Sequence, residues 1–321
     1  VKRKSDVIMT ISALLAMGAL ACPPGQAVAA EKTKVVATFS ILGDLVSQVG
    51  GDRIEVSTLV DADGDAHVYA PTPADAKTVK AAKVVFVNGL GFEGWIDRLV
   101  KSSGTGAAVV VASKGVAAIE GGEDEGEHGK DEDKDEKGEH AGHDHGAFDP
   151  HAWQSVANAK LYAGNIRDGL IAADPANKEA YEANASAYLA KLDALEAEVK
   201  ETIAKIPADK RKVITTHDAF TYFEKTYGLA FIAPQGVSTE SEASAKDVAR
   251  IITQIKAEKI PAVFVENISD TRLVEQIARE TGAKIGGKVY SDALSDAKGP
   301  ASTYIDMIRN NIREFAAALT S

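Results

Sequence analysis

Cysteine is all but missing from this chain of 321 residues: Cys22 is the only one. The mature protein is therefore expected to fold without a disulfide. Positive charge is also short, with 36 Lys and Arg against 47 Asp and Glu, a formal net charge of −11. That balance argues against nucleic acid as a partner and favours cations. Beyond the N-terminal region no segment reaches the ~20 apolar residues of a membrane-spanning helix. Neither HExxH nor GxSxG occurs, so two common hydrolase signatures are absent.

With 45% hydrophobic residues the chain has enough apolar material for a full core. The N-terminus reads as an export signal spanning residues 1–30. Lys2, Arg3 and Lys4 form a positive start, Val7 to Ala21 an apolar stretch, and Ala27-Val28-Ala29 a small-x-small cleavage site. Ala19-Leu20-Ala21-Cys22 also admits a lipid anchor on Cys22, but Ala19 stands where such signals usually carry Leu, so simple cleavage is the preferred reading. Either route places the protein outside the cytoplasm.

Two stretches show the alternation of short strands and helices that marks parallel α/β structure. In the first, strands are predicted at 34–39, 54–60, 84–87 and 107–111. In the second they are predicted at 213–216, 229–233, 263–265 and 288–290, and no sequence repeat relates the two stretches. Between them Asp174-Pro175 offers an N-cap and a first helical residue. Tyr181, Ala185, Tyr188, Leu192, Leu195, Val199, Ile203 and Ile206 then follow at gaps of three and four, predicting one long helix.

Glu120 to Ala147 carries twelve acidic residues against three lysines, most of the chain's net charge. It has almost no apolar side chains to offset the entropy of ordering, so residues 120–147 are expected to be a disordered loop. Its His128, His140, His143 and His145 among carboxylates make a soft cage for divalent cations. The remaining histidines, His67, His151 and His217, lie outside this run or at its edge. His67 and His217 follow predicted strands, and Asp292 follows Val289-Tyr290. Ligands of open α/β sheets bind beyond the carboxyl ends of strands, and three imidazoles with one carboxylate suffice for a tetrahedral zinc shell. Gly89-Leu90-Gly91-Phe92-Glu93-Gly94 is a literal GxGxxG, but it does not follow the first strand and no acid ends the next one. It is read as a tight turn rather than a dinucleotide site.

The order of motifs resembles a known family. His67 to Asp75 (HxYxPxPxD), Asn88 to Trp95, Asp149-Pro150-His151-Ala152-Trp153, Thr216-His217-Asp218-Ala219-Phe220, Phe264-Val265-Glu266-Asn267 and Tyr290-Ser291-Asp292 are similar to the landmarks of metal-binding solute-binding proteins of ABC transporters, the ZnuA, AztC and TroA type. The resemblance covers essentially the whole mature chain. It implies two Rossmann-like α/β lobes with mostly parallel sheets, joined by a long rigid helix, with one metal ion in the cleft between them. The implied boundaries are 31–173 for the first lobe, 174–206 for the linking helix and 207–321 for the second lobe.

The resemblance also implies His67 and His151 as ligands from the first lobe, and His217 and Asp292 from the second. Manganese-type relatives usually carry Glu where His217 stands, and imidazole favours zinc. The expected function is capture of Zn²⁺ in the periplasm and delivery to an inner-membrane ABC permease, by a monomer. A periplasmic metallochaperone is a candidate donor, and the loop histidines are candidate collectors. The alternatives are a manganese-specific protein of the same family, an exported zinc hydrolase with Asp292 as general base, and a passive metal buffer using the acidic run.

Overall fold

The computed structural model describes residues 31–121 and 148–320. The export signal with Cys22, and the segment holding His128, His140, His143 and His145, lie outside the described residues.

Strand β1 (Thr33–Phe39) is buried at all but one position, as a central parallel strand covered on both faces must be. It runs straight into α1 (Ser40–Gly50), whose Ile41, Leu42, Leu45, Val46 and Val49 recur at helical spacing and face inward. Then come β2 (Ile54–Val60), α2 (Pro73–Ala81), β3 (Val84–Val87), α3 (Ile96–Ser103) and β4 (Ala108–Val111). The four strands form one parallel sheet in the order β2-β1-β3-β4.

Two long helices follow, α4 (Val156–Ala173) and α5 (Lys178–Ala204). The second half of the chain holds β5 (Lys212–Ile214), α6 (Thr221–Tyr227), β6 (Ala230–Ile232), α7 (Ala245–Glu258), β7 (Ala262–Glu266), α8 (Thr271–Thr281), β8 (Lys284–Val289) and α9 (Tyr304–Leu319). Its strands form a second parallel sheet in the order β6-β5-β7-β8. Each sheet therefore places its second strand outermost beside its first, an architectural repeat that the sequence does not display.

Helix α5 is 27 residues long, roughly 40 Å. Tyr181, Ala185, Tyr188, Leu192, Leu195, Val199 and Ile203 are buried along it, and it packs against α1, α4 and α9. Its start differs from the sequence expectation. Pro175–Asn177 forms a separate 3-10 turn, and Asp174 makes no side-chain cap. The Asp174 carboxylate instead accepts hydrogen bonds from Thr33 Oγ1 (3.0 Å), Asn177 Nδ2 (2.7 Å) and Tyr181 Oη (2.7 Å), tying the helix entry to the first strand. One apolar core runs from β1 through α4 and α5 to Phe315 of α9. A smaller cluster around Ile214, Ile251, Ile255, Val263, Val274 and Ile277 fills the second sheet's helical side.

Strand β8 begins four residues earlier than the expected 288–290 and runs through Gly286 and Gly287. Both glycines are where neighbours press on the strand: a Cβ at Gly286 would sit 2.3 Å from the Phe264 ring, and one at Gly287 1.9 Å from Glu314. The GxGxxG segment is a turn, with Gly89, Leu90 and Gly91 at φ of 85°, 57° and 82°. Glu93, within the motif, accepts from Asn88 N (2.6 Å), Gly89 N (3.3 Å) and Thr38 Oγ1 (2.5 Å). Two of the amides near the turn are thus bound by the chain's own carboxylate, whose pKa burial pushes up. Among the described residues no helix is long and apolar enough to cross a membrane.

If α5 acts as the shared spine of both sheets, Leu192→Ala, at a position with 0% exposure, lowers unfolding free energy by about 2–5 kcal/mol. Denaturant unfolding measures this, and a loss under about 1 kcal/mol would show that the helix is not part of the core.

Candidate metal centre

Four chain segments meet where the two sheets face each other. His67 lies in the loop that leaves the carboxyl end of β2. That loop is anchored at its far end by a reciprocal cap on α2: Thr72 N donates to Asp75 Oδ2 (2.6 Å) and Asp75 N to Thr72 Oγ1 (3.4 Å), with Pro73 at the first helical turn. Tyr69 Oη donates to the same Asp75 oxygen (2.9 Å), and Trp95 Nε1 donates to Ala66 O (2.8 Å). His67 N donates to Asp65 Oδ1 at 2.9 Å, and its ring stands edge-on to Phe92.

His151 lies just before α4, and Asp149 holds it. Asp149 Oδ1 accepts from His151 N and lies 2.8 Å from His151 Nδ1. A proton on Nδ1 leaves the Nε2 lone pair free to bind a cation. Asp149 and Pro150 are themselves held through their carbonyls, by Tyr222 Oη at 3.1 Å and Asn88 Nδ2 at 2.9 Å.

The other half mirrors this plan. His217 follows β5, and Glu266 ends β7. Glu266 Oε1 accepts from Thr216 N (2.6 Å) and His217 N (3.0 Å), while Oε2 lies 2.6 Å from His217 Nδ1. Asp292 follows β8, and Asn311 of α9 brackets Tyr290 with one bond to its N–H and one to its carbonyl. The Ser291 carbonyl accepts from Trp153 Nε1 (2.9 Å) and Gln154 Nε2 (2.8 Å), joining the Asp292 segment to the His151 segment.

The structure brings together His67, His151, His217 and Asp292, each with a potential ligand atom within 4.8 Å of the others. His67 Nε2 is 3.3 Å from His151 Nε2 and 3.2 Å from Asp292 Oδ2. His217 Nε2 is 3.1 Å from Asp292 Oδ2, and His151 Nε2 is 3.5 Å from Asp292 Oδ1. A tetrahedron with bonds of ~2.0–2.1 Å has edges of ~3.3–3.4 Å, so these separations suit a small divalent cation. His151, His217 and Asp292 are 0% exposed and His67 only 7%. Neither Asp292 oxygen has a hydrogen-bond partner other than these imidazoles among the described residues.

Charge follows geometry. Burial disfavours a charged ring at His151, but the Asp292 and Asp149 carboxylates outweigh it and hold its pKa up at about 9. Burial is likewise outweighed at His217, where Glu266 and Asp292 hold the ring well above its usual value. At Asp292 burial works toward protonation, yet the His217 and His151 charges keep the carboxyl well below the usual carboxylate range. His67 is lowered, by burial first and by repulsion from the other two rings.

Asp149 and Glu266, the carboxylates behind His151 and His217, are the side chains of this cluster that the sequence expectation did not assign. Both belonged to quoted motifs, and Asp149 stands two residues before a histidine, a spacing that lets a carboxylate reach the next backbone N–H but one.

Comparison with known proteins agrees with this geometry. The model of the family described as "Zinc-uptake complex component A periplasmic" matches residues 35–318. The chain belongs to the ZnuA family. ZnuA-family proteins are metal-binding substrate-binding components of ABC transporters, not enzymes. The chain is 34% identical over 316 residues to the manganese-binding lipoprotein MntA of Halalkalibacterium halodurans, covering 98% of each. It is 34% identical over 310 residues to the iron-binding protein YfeA of Yersinia pestis, covering 96% of this chain and 93% of that one. Among solved structures, the periplasmic zinc binding protein TroA of Treponema pallidum superposes with a TM-score of 0.79 at 28% identity, over 90% of this chain and 99% of that one. The manganese-bound periplasmic metal binding protein of Candidatus Liberibacter asiaticus gives 0.77 at 30% identity, over 90% and 100%.

Glu266→Gln removes the charge behind His217 and is expected to weaken divalent-metal affinity about 10–100-fold. Competition against a chromophoric chelator measures this, and an affinity within about twofold of the parent contradicts the role given to Glu266. Ligation needs neutral imidazole, and His151 is protonated below about 9. Metal uptake near pH 7 must therefore release protons, and affinity should rise with pH toward that value. Calorimetry in buffers of differing ionisation heat reads the release directly. Uptake without proton release would contradict the assignment.

Proposed function

We propose that this ZnuA-family protein captures Zn²⁺ outside the cytoplasm through His67, His151, His217 and Asp292 and hands it to an ABC permease. The observation that carries the reading is the donor set. Three imidazole Nε2 atoms surround one buried carboxylate at 3.1–3.5 Å, and that carboxylate has no hydrogen-bond partner other than these rings among the described residues. A shell rich in imidazole suits zinc, whereas manganese prefers oxygen ligands and stands at the weak end of the divalent series. Asp292 serves as a ligand rather than as the general base of a hydrolase, because its oxygens face the rings that would share the ion.

A manganese reading is supported by two observations. Relatives such as MntA are named as manganese-binding, and both Asp292 oxygens face imidazoles, Oδ1 toward His151 and Oδ2 toward His67 and His217. Two-oxygen binding would raise the coordination number above four and ease the fit of a larger ion. Metal-stripped protein dialysed against equal zinc and manganese decides between them. Zinc at about one ion per chain is expected, and manganese held against equimolar zinc would reassign the cargo.

The proposal includes export, with cleavage near Ala29 preferred over a lipid on Cys22, although several relatives are named lipoproteins. It also includes monomeric action and a metallochaperone as one source of the ion. His128, His140, His143 and His145 are proposed as weak collectors that feed the buried centre. Deleting Gly121 to Gly146 is expected to leave one tight site per chain; loss of tight binding would make the acidic segment the metal site instead. His217→Ala removes a ligand and the ring that lies against both Glu266 and Asp292. Zinc affinity should fall by at least about a hundredfold in calorimetry, and unchanged affinity would refute the assignment.

A further inference from the structure

The loop that carries His67 leaves the first sheet, yet it is bonded to the second half of the chain at three points. Asp63 N donates to Leu294 O at 2.9 Å, two residues beyond Asp292. Asn267 Nδ2 donates to Asp63 Oδ1 at 3.0 Å, one residue beyond Glu266. Thr239 Oγ1 donates to Asp65 Oδ2 at 2.7 Å. The other oxygen of that same carboxylate, Asp65 Oδ1, holds the backbone N–H of His67 at 2.9 Å. Asp65 is thus a two-sided clasp, with one oxygen on a site histidine and the other on a hydroxyl of the opposite half. Thr239 belongs to the polar stretch Ser238 to Glu242, which no strand or helix claims.

Resting on the metal-capture reading, we propose that Asp65 and Thr239 form the releasable bolt of the metal centre, with Asp63 and Asn267 as its second catch. Three features single out this loop as the one that opens. His67 is the least buried of the four site residues, at 7% against 0% for the others. A cavity of about 290 Å³ reaches His67 from outside, bounded also by Tyr69, Arg98 and Glu240. A second cavity, of about 450 Å³, is lined by both Asp65 and Thr239, so solvent can compete for their hydrogen bond. The remaining site residues have no comparable freedom. His151 and Asp292 share the clamp on the Ser291 carbonyl, and His217 is held by both oxygens of Glu266. The continuous apolar core resists movement of one sheet against the other. Release then proceeds by parting Thr239 from Asp65, which unfastens the loop from the opposite half while Asp65 still holds the His67 amide, so that the loop carries the ring off the ion. Asp65 and Thr239 are positioning residues: they set the lifetime of the bound ion without touching it.

The test is zinc dissociation into excess chelator, followed by stopped flow on full-length protein loaded with one Zn²⁺. Thr239→Val, which keeps the shape and removes the hydroxyl, should release zinc roughly tenfold faster, the worth of one hydrogen bond to a carboxylate. Thr239→Ser restores the hydroxyl and should release at close to the parent rate, which a purely packing role for the threonine would not give. Asn267→Ala severs the second catch independently and should also speed release. The zinc stoichiometry should stay at the parent value, and the melting temperature of the metal-free variants should fall by no more than a few degrees. A Thr239→Val rate within twofold of the parent, or a Thr239→Ser rate matching that of Thr239→Val, overturns the bolt. Failure of the parent protein to hold one zinc ion tightly would instead overturn the capture reading itself.

Discussion

A carboxylate withdrawn entirely from water must be balanced by nearby positive charge, and Asp292 is such a group. It is 0% exposed, receives no hydrogen bond from the described residues beyond what the rings offer, and has three imidazole Nε2 atoms for neighbours. An isolated buried anion costs several kcal/mol, and only close cationic partners offset that. Protons on His151 and His217 supply this charge in the metal-free protein, and a divalent cation supplies it in the loaded one. Proton and metal are therefore alternative occupants of one electrostatic demand. The anions behind the rings, Asp149 and Glu266, strengthen the demand by making both imidazoles more basic.

The scaffold exists to hold these groups at one point. Two parallel sheets of the same strand order direct the carboxyl ends of β2, β5, β7 and β8 to it. Helix α5 and the continuous core join the sheets through packed side chains rather than a flexible connector. In such a body the degrees of freedom that remain belong to loops. The loop of His67 has polar rather than apolar attachments to the opposite half, and polar contacts can exchange with water at little net cost.

Much of this was legible in the sequence because it is written in local patterns. The three-and-four spacing from Tyr181 to Ile203 marked α5, and the β-branched runs at 54–60 and 84–87 marked β2 and β3 to the residue. The four residues that the structure gathers could be picked out because each stands beyond a strand or in a motif resembling the family's landmarks. What escaped depended on distant partners. The start of α5 shifted because Asp174 bonds to Thr33, which lies 141 residues away. The expected span of β8 was too short because its glycines make room for Phe264 and Glu314, a requirement invisible along the chain. Glu266 gave no sign of its bond to His217, 49 residues distant. The choice of metal is not written in such patterns: relatives at 34% identity are named for manganese and for iron.

X-ray absorption at the metal edge of the loaded protein tests the central claim most directly. The account predicts a first shell of three imidazole nitrogens and carboxylate oxygen at ~2.0–2.1 Å for zinc, with the imidazole scattering reduced by one ring in His67→Ala. A shell dominated by water oxygens, or one whose imidazole count is unchanged by that substitution, would contradict a single buried centre built around Asp292.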